Sequence, residues 1–320
     1  MSGKPVYSDQ EFIELWKTHE SASALAKAVG MDLRNIIRRK NNLEARYGTQ
    51  LKSKNSTQPS IKENPAKKML GIENGCILVF SDAHFHPSIH TTAYKGLLWA
   101  IKEFQPKAVI ANGDIFDGSS ISSYPRIGWD SVPTVVEELK ACELAMGEIE
   151  EAAKKARYNV NLIWTLGNHD ARFENRLASN APQYEHVKGF SLKDHFPAWH
   201  PCWACWATDD VVIKHRWKGG VHATHNNTVN SGVTMVTGHL HSLKVTPFND
   251  YRPYTRYGVD TGTLADTDGV QFENYLELSP TNWRSGFAVL TFHNGRLLFP
   301  ELVMKFAEGQ IEFRGKIHDV

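Results

Sequence analysis

Short, mostly apolar runs that each end in a polar cluster are the main pattern between residues 76 and 241. Each run has four or five residues and is rich in β-branched or aromatic side chains, which predicts a buried strand. The four runs are residues 76–80, 107–111, 161–165 and 234–237. Ligand sites in α/β sheets lie outside the carboxyl ends of the strands, so we expect the polar clusters to converge.

The surrounding pattern predicts an α/β fold. Helices are predicted at 91–104 and 132–157, and further strands at 210–214, 256–263, 286–292 and 297–304. Asn294-Gly295, between the last two strands, is a dipeptide that favours a tight hairpin. Strands that alternate with helices and then continue as a β meander indicate an α/β sandwich.

Residues 1–49 show helical spacing instead, and they predict a small all-α domain of three helices. Ser8-Asp9-Gln10-Glu11 is a capping box, while Ser21 caps the second helix and Gly30 ends it. The third helix begins after Asp32. Its apolar side is predicted to carry Leu33, Ile36, Ile37 and Leu43, and its basic side Arg34, Arg38, Arg39 and Lys40.

This arrangement resembles the helix-turn-helix of DNA-binding proteins. The small Ala26 precedes the turn residue Gly30 by four positions, and a basic amphipathic helix follows. We therefore expect DNA as a partner, contacted through the basic side of the third helix. The alternative is a generic three-helix bundle whose basic face is merely solvated.

Charge divides the chain in the same place. Residues 1–68 contain 13 Lys and Arg against 7 Asp and Glu, and the remainder contains 23 against 28. The basic part calls for an acidic partner, and the acidic part is what a site for cations requires. Residues 50–68 are rich in Lys, Ser, Asn and Pro, which predicts a flexible linker between domains at 1–49 and 69–320.

The location predicted from the sequence is the cytoplasm. No apolar stretch reaches the roughly 18 residues of a membrane span, so we expect no membrane partner. Met1-Ser2-Gly3-Lys4-Pro5 lacks the apolar region of a secretory signal. Cys202-Trp203-Ala204-Cys205 has the spacing of half a zinc site, but a second pair is missing, and we interpret the four cysteines as reduced thiols.

The polar clusters combine carboxylate, imidazole and amide groups. They are Asp82-Ala83-His84, Gly113-Asp114-Ile115-Phe116-Asp117, Gly167-Asn168-His169-Asp170 and Gly238-His239-Leu240-His241. These ligand types suit divalent ions such as Mn²⁺, Fe²⁺ or Zn²⁺, and the absence of thiolate argues against a structural zinc site. The clusters hold more ligands than one ion needs, which favours a two-metal site.

The ordered string D-x-H, G-D-x-x-D, G-N-H-D and G-H-x-H resembles the calcineurin-like metallophosphoesterases over roughly residues 75–265. The resemblance implies a four-layer α/β/β/α sandwich with two divalent ions, Mn²⁺ first and Fe²⁺, Zn²⁺ or Ni²⁺ as alternatives. It implies that the first ion is bound by Asp82, His84 and His241, that Asp114 bridges, and that the second is bound by Asn168 and His239. His169 would act on the leaving oxygen with Asp170 orienting it, and Asp117 is expected to orient rather than bind metal.

The family has one further histidine ligand, for which the sequence offers His215, His222 and His225. We choose His215, because it ends a predicted strand as the other ligands do. His222 and His225 would fall in the following loop or in the first turn of a helix. They remain candidates for contact with substrate phosphate, together with Arg172.

The substrate is the open part of the prediction. Protein Ser/Thr phosphatases of this superfamily have Arg-Gly after G-D-x-x-D and Glu after G-N-H, where this chain has Gly118-Ser119 and Asp170. The chain more closely resembles the DNA-processing branch and phosphoesterases encoded by bacteriophages, which would place it in a host cytoplasm. The first hypothesis is a DNA phosphodiesterase, that is, a nuclease. The second is an enzyme acting on small nucleotides. The third, a DNA-binding regulator on a degenerate enzyme scaffold, is disfavoured because every metal-ligand type is present.

Overall fold

The computed structural model describes residues 7–19, 21–47, 51, 66–123, 132–269, 272 and 279–320. The chain forms two compact units, residues 1–64 and 65–320. Most of the predicted linker at 50–68 lies outside the described residues. Its last two residues differ from the prediction, because Lys67 and Lys68 belong to strand β1 (Lys67–Met69).

The N-terminal unit contains three helices, α1 (Asp9–Thr18), α2 (Ala22–Val29) and α3 (Leu33–Tyr47). The predicted capping box is confirmed, since the Glu11 backbone N–H donates to Ser8 Oγ and the Ser8 N–H donates to Glu11 Oε2. Gly30 ends α2 with a left-handed backbone of φ 65°. The core of this unit consists of Phe12, Trp16, Leu25, Ala26, Ile36 and Leu43.

The predicted division of α3 into an apolar and a basic side is wrong in detail. Leu33 and Ile37 are 41% and 42% exposed, whereas Ile36 is buried. Successive residues of a helix are turned by about 100°, so the positions that share a face with Ile36 are three and four residues on. Arg39 and Lys40 occupy them and are therefore directed towards α1. The exposed part of α3 carries Arg34 and Arg38 beside two apolar residues.

Arg39 and Lys40 make contacts within the unit. The Arg39 guanidinium donates to the Tyr7 carbonyl and lies 4.9 Å from the centroid of the Phe12 ring. Lys40 Nζ donates to Glu44 at 2.9 Å and lies 5.7 Å from a Trp16 ring centroid. The expectation that all four basic residues face a partner therefore fails for these two.

The second unit contains two β-sheets. One has the order β15-β14-β13-β11-β2-β3-β4-β5, with β12 paired to β11. Strands β2 to β5 are mutually parallel and β11 runs antiparallel to β2. The bounds are β2 (Gly75–Phe80), β3 (Ala108–Ala111), β4 (Asn161–Thr165), β5 (His200–Cys202), β11 (Gly286–His293), β12 (Arg296–Leu297), β13 (Glu301–Ala307), β14 (Gln310–Phe313) and β15 (Lys316–Asp319).

The other sheet has the order β1-β6-β7-β8-β10-β9. Strands β7, β8 and β10 are parallel neighbours. The bounds are β6 (Ala204–Thr208), β7 (Val211–Ile213), β8 (Thr234–Thr237), β9 (Lys244–Phe248) and β10 (Arg256–Asp260).

Alternation along the buried strands holds the layers together. In β2, Ile77 and Val79 pack against the other sheet, while Leu78 and Phe80 pack under helices. This is the period of two expected for a strand that is covered on both faces. Helices α4 (Thr92–Phe104) and α5 (Val135–Ala156) cover the first sheet, and α7 (Ala223–Ser231) covers the second. The result is the expected α/β sandwich, with helical layers outside two packed sheets.

Among the described residues, the remaining helical segments are α6 (Asp170–Asn180) and three 3₁₀ turns at Ser119–Ile121, Pro182–Tyr184 and Leu192–Asp194. No helix in the described part of the chain is long and apolar enough to cross a membrane. The hairpin at Asn294-Gly295 is confirmed, with φ of 48° and 74°. The strand predicted at 297–304 is instead interrupted before β13, where Pro300 has no N–H to donate to a ladder.

Candidate active site

The polar clusters follow the carboxyl ends of five strands from both sheets. Asp82 and His84 follow β2, Asp114 follows β3 and Asn168 follows β4. The second sheet contributes three more residues, namely His215 after β7 and both His239 and His241 after β8. The two sheets therefore deliver their polar residues to one edge of the sandwich.

The backbone at this edge is strained. Five residues of the polar clusters have left-handed φ angles, namely Asp82 (52°), His84 (40°), Asp114 (53°), His239 (72°) and His241 (54°). Each such residue costs on the order of 1–3 kcal/mol, and such residues cluster at functional sites. Hydrogen bonds between the loops hold the strained conformation, including His84 N–H to the Asp114 carbonyl at 3.0 Å and His239 N–H to Asp82 Oδ2 at 2.8 Å.

Gly167 and Gly238 are required because carboxylates of neighbouring loops lie too close for a side chain at either position. A Cβ at Gly167 would overlap the Asp114 carboxylate, and a Cβ at Gly238 would lie 2.6 Å from Asp82 Oδ2. Any side chain at these positions would push the loops apart. The glycines that precede Asn168 and His239 in sequence thus let two loops touch the carboxylates of two others.

A first group of potential ligands consists of Asp82, His84 and His241. Their ligand atoms lie within 4.8 Å of one another, and all three residues are buried. His241 Nε2 is 3.1 Å from Asp82 Oδ1. Burial opposes ionisation of Asp82, but the nearby His241 and His215 outweigh it and lower the pKa of this carboxyl group. Asp82 is therefore held as a carboxylate.

A second group consists of Asp114, His215 and His239, again with ligand atoms within 4.8 Å of one another. His215 Nε2 is 3.0 Å from Asp114 Oδ2. Burial raises the pKa of Asp114, but His215 outweighs burial and lowers it to about 2. Burial lowers the pKa of His215, but Asp82 and Asp114 outweigh burial and raise it to about 9. The structure thus includes His215 in this group, and it leaves His222 and His225 outside the groups found among the described residues.

The donor atoms at this edge fit metal ions. His215 Nδ1 lies 2.7 Å from the Asn112 carbonyl, which can only accept, so Nδ1 carries a hydrogen. The raised pKa keeps a second proton on Nε2, where it faces the Asp114 carboxylate, and a bound metal ion would take the place of that proton. Buried atoms that lack a hydrogen-bond partner within the described ranges include Asp82 Oδ1, Asn168 Oδ1, His215 Nε2 and His241 Nδ1. Metal ions would satisfy these buried oxygen and nitrogen atoms, and the two groups of ligands fit two ions.

His169 lies beside these groups, with its ring centroid 4.7 Å from that of His84. Its Nδ1 is 2.8 Å from Asp117 Oδ1, and its Nε2 is 3.1 Å from Arg172 Nη2. Arg172 also donates to the Asp117 carbonyl at 3.0 Å. Burial lowers the pKa of His169, but the hydrogen bond with Asp117 outweighs burial and raises it. Asp117 also accepts from His84 Nδ1 at 3.0 Å, so it orients two histidines.

The structure corrects the prediction that Asp170 orients His169. Its carboxylate accepts from the backbone N–H groups of Asp114, Ile115, Phe116 and Gly167 at 2.9–3.1 Å. It also accepts from Trp164 Nε1 at 3.0 Å. Asp170 is the first residue of α6 and is buried, so it reaches back to the loop after β3 instead of His169. Its place is under the site, where it fixes two loops together.

The three residues predicted to contact substrate phosphate, His222, His225 and Arg172, do not all lie at the site. His222 is the residue before α7 and is exposed, and His225 lies on α7 with its ring 5.5 Å from Phe248. Neither belongs to the groups described above. Arg172 contacts His169 directly and is thus the one of the three candidate phosphate contacts that lies at the site.

Two aromatic residues at the site could not be predicted from motifs. The Phe272 ring lies 5.3 Å from that of His84 and 5.6 Å from that of His241. The Trp283 ring lies 4.4 Å from that of His241 and 5.2 Å from that of Phe272. Both residues belong to a stretch without clear periodicity, and their aromatic character alone does not indicate a place at the site.

The chain is similar to known proteins over most of its length. The family model for calcineurin-like phosphoesterase matches residues 77–258. The chain is 24% identical over 266 residues to "Gene 54 protein" of Mycobacterium phage L5, a match that covers 76% of this chain and 98% of the phage protein. A solved structure of an archaeal phosphodiesterase aligns with a TM-score of 0.37 and 14% identity, covering 72% of this chain and 99% of the archaeal one.

Proposed function

The chain belongs to the calcineurin-like phosphoesterase family, and we propose that it is a two-metal phosphodiesterase that hydrolyses DNA. One observation carries the proposal. Two groups of metal-ligand side chains, buried except for the half-buried His239, meet at one edge of the sandwich, and several of the ligand atoms at this edge have no hydrogen-bond partner within the described residues. A strained backbone and metal-ligand atoms without hydrogen-bond partners are what we expect at the site of a metal-dependent hydrolase.

We assign the ions to the two groups. The first would be held by Asp82, His84 and His241, and the second by Asn168, His215 and His239, with Asp114 shared between them. Two divalent ions here would supply positive charge for the phosphoryl oxygens and for activation of the attacking water. Imidazole and carboxylate ligands without thiolate favour Mn²⁺, with Fe²⁺, Zn²⁺ and Ni²⁺ as alternatives.

His169 is proposed to protonate the leaving oxygen. Asp117 engages Nδ1, which leaves Nε2 as the atom that would hold the proton for transfer. Nε2 lies 4.0 Å from Asp114 Oδ2, so the transfer would occur beside the shared carboxylate. Arg172 touches the same Nε2 atom and is proposed to move from it to a non-bridging phosphate oxygen when substrate binds.

The choice of DNA rests on the N-terminal unit and on the loop sequences. The exposed part of α3 carries Arg34 and Arg38, which can contact phosphates, next to Leu33 and Ile37, which can contact the methyl groups of bases. Gly118-Ser119 and Asp170 stand where protein phosphatases have Arg-Gly and Glu. Both features favour a nucleic-acid substrate over a phosphoprotein.

One observation favours a second candidate, a phosphodiesterase for small nucleotides. Arg39 and Lys40 are used inside the N-terminal unit, so its exposed basic surface is smaller than the sequence predicts. The unit would then bind a partner protein, and the metal site alone would select the substrate. A regulator without activity remains disfavoured, because no ligand type of the metal site is missing.

The test uses purified protein with Mn²⁺ and four substrates: single-stranded DNA, duplex DNA, bis-p-nitrophenyl phosphate and p-nitrophenyl phosphate. We expect cleavage of DNA and of the diester, with little turnover of the monoester. Asp114→Asn should abolish hydrolysis and lower the metal content without unfolding the chain, which metal analysis and a thermal melt check. Wild-type activity in this variant would contradict the two-metal assignment, and turnover of the monoester alone would contradict the phosphodiesterase.

A further inference from the structure

Trp283 is the accessible member of an aromatic pair beside the first group of metal ligands. Phe272 is 6% exposed and fills the space between His84 and His241. Trp283 packs its ring 4.4 Å from the His241 ring at an interplanar angle of 62°, and it remains partly exposed. Trp283 therefore offers part of its indole surface beside the first group of potential metal ligands, whereas Phe272 is buried against the Trp283 ring.

The backbone fixes the position of Trp283. Arg284 N–H donates to the His241 carbonyl at 2.7 Å, and the Arg284 carbonyl accepts from Thr263 N–H at 3.1 Å. The residue after Trp283 is thus tied to the loop that carries a predicted metal ligand. An aromatic ring held this way has a fixed distance from the metal site, as a specificity-determining contact requires.

Arg284, the residue after Trp283, adds positive charge to the same segment. Its Nη1 donates to the Ser242 carbonyl at 3.0 Å and to the Asn282 carbonyl at 3.4 Å, and the residue is exposed. A guanidinium has five N–H donors, so donors remain for a ligand. Aromatic rings that stack on bases, with cations for the backbone between them, are how proteins hold single-stranded nucleic acid.

We propose that Trp283 is the platform on which a nucleobase of the substrate stacks, with Arg284 contacting a neighbouring phosphate. A phosphate group has no flat face for an indole, so the ring must recognise the organic part of the ester. A base inside a duplex has both faces covered by its neighbours. The substrate class is therefore a phosphodiester with an unpaired or terminal nucleotide. This inference rests on the proposed phosphodiesterase activity and deepens it.

The test compares two diesters with the same leaving group, thymidine 5′-(p-nitrophenyl phosphate) and methyl p-nitrophenyl phosphate. Both release p-nitrophenolate, and only the first has a base. Trp283→Ala should raise KM for the thymidine ester by about 5- to 150-fold, the fold-change that matches the usual strength of stacking on one base. KM for the methyl ester should stay within about twofold, and Trp283→Phe should restore most of the loss on the thymidine ester.

A binding measurement without turnover supports the kinetic one. In EDTA, fluorescence anisotropy with labelled oligo(dT) and with an abasic oligomer of equal length reports the contribution of the bases. Trp283→Ala should remove the preference for oligo(dT), and Arg284→Ala should weaken the binding of both oligomers equally. Tyr158→Ala removes an aromatic ring that is 98% exposed and lies before β4, at the amino edge of the sheet, and should change neither result.

The outcomes separate this inference from the proposed function. If wild-type protein hydrolyses neither diester with any divalent ion, the phosphodiesterase itself is wrong. If it hydrolyses both, but Trp283→Ala and Trp283→Phe lower kcat equally on both, Trp283 only supports His241 and the stacking platform is wrong. If Trp283→Ala has a lower melting temperature than the wild type, Trp283→Leu and Trp283→Phe replace it in the test. Only the phenyl ring should retain the preference for the thymidine ester.

Discussion

His169 lies between a carboxylate and a guanidinium, and the two contacts have opposite consequences for its proton. Asp117 at Nδ1 favours the protonated ring, whereas Arg172 at Nε2 favours the neutral ring. A proton donor in this setting would need Arg172 to leave Nε2 before the ring could act on a leaving oxygen. In the proposed mechanism, His169 and Arg172 would link the binding of phosphate to the supply of a proton.

From this arrangement we predict that His169→Ala lowers kcat on DNA by on the order of 10²–10⁴ while metal content stays the same. The loss should be much smaller on bis-p-nitrophenyl phosphate, because p-nitrophenolate leaves without protonation. Steady-state kinetics on both substrates, with metal analysis, check this. His186→Ala removes a histidine whose side chain is 88% exposed and is the matched control. An equal loss of kcat on both substrates would contradict the role of His169 as proton donor.

Glu138 is a buried carboxyl group that the proposed mechanism does not use. It is 2% exposed and accepts from Ser119 Oγ at 3.0 Å, and its Oε2 has no hydrogen-bond partner among the described residues. Burial, with the Asp117 charge acting in the same direction, raises its pKa from 4.5 to about 7. Between these two values the folded chain holds a proton that the unfolded chain has released, so folding stability falls as pH rises through this window.

The predicted test is Glu138→Gln. The free energy of unfolding of the wild-type chain should fall relative to the variant by roughly 2–3 kcal/mol between pH 5 and pH 8, at about 1.36 kcal/mol per pKa unit. Urea unfolding of the metal-free proteins at both pH values measures it. Parallel pH profiles for the two proteins would show that Glu138 does not titrate in this window.

At the scale of elements, α3 divides its basic residues into two kinds. Arg39 has a side chain that is 15% exposed, contacts Phe12 and pairs with Asp9, whereas Arg34 is exposed. Arg39→Ala should lower the stability of the N-terminal helices by on the order of 1 kcal/mol through lost packing and cation–π contact. Arg34→Ala should change it by less than about 0.5 kcal/mol. Hydrogen exchange of α1 and α3 amides in the full chain checks both values, and equal protection in the two variants would contradict the division.

Apolar patterns located the buried strands well but could not say which residue faces which layer. The run in β2 is continuous, so its sequence does not distinguish Ile77, which meets the other sheet, from Leu78, which meets the helices. In α3 the pattern placed Ile37 on the inner side, because a charged residue such as Arg39 was assumed to face solvent. Arg39 instead uses its long apolar stem and planar head against Phe12, a choice that depends on tertiary packing.

The same limit of sequence-based prediction applies to the candidate site. Motif spacing indicated the positions that follow each strand, because strand ends fix where a side chain can go. It could not indicate whether Asp117 or Asp170 reaches His169, since both are carboxylates close to the motif and only the path of the chain decides. Trp283 lies 42 residues after His241 without any motif, and only the folded chain brings their rings together.

For the whole molecule, the match to the family covers residues 77–258, and the chain extends well beyond it on both sides. On the carboxyl side, β11 pairs with β2 and adds the meander β13 to β15 to the first sheet. On the amino side lies a separate compact unit with a core of its own. The proposed metal site draws all its ligands from the second unit, so the two units can be tested independently.

We predict that deleting residues 1–64 leaves turnover of bis-p-nitrophenyl phosphate unchanged but weakens binding and cleavage of duplex DNA. The deletion must stop there, because Lys67–Met69 pairs with β6 and a longer one would remove an edge strand. Each phosphate contact contributes about −0.9 to the slope of log K against log salt on duplex DNA. If Arg34 and Arg38 each contact a phosphate, the deletion should flatten this slope by about 2 units, as should the double replacement of both arginines by alanine in the full chain. Lys17→Ala, which removes one exposed charge from α1, should change the slope little. Should truncated and full-length proteins bind duplex DNA equally at every salt concentration, the N-terminal unit would bind a protein or assist folding, and small nucleotides would become the favoured substrate.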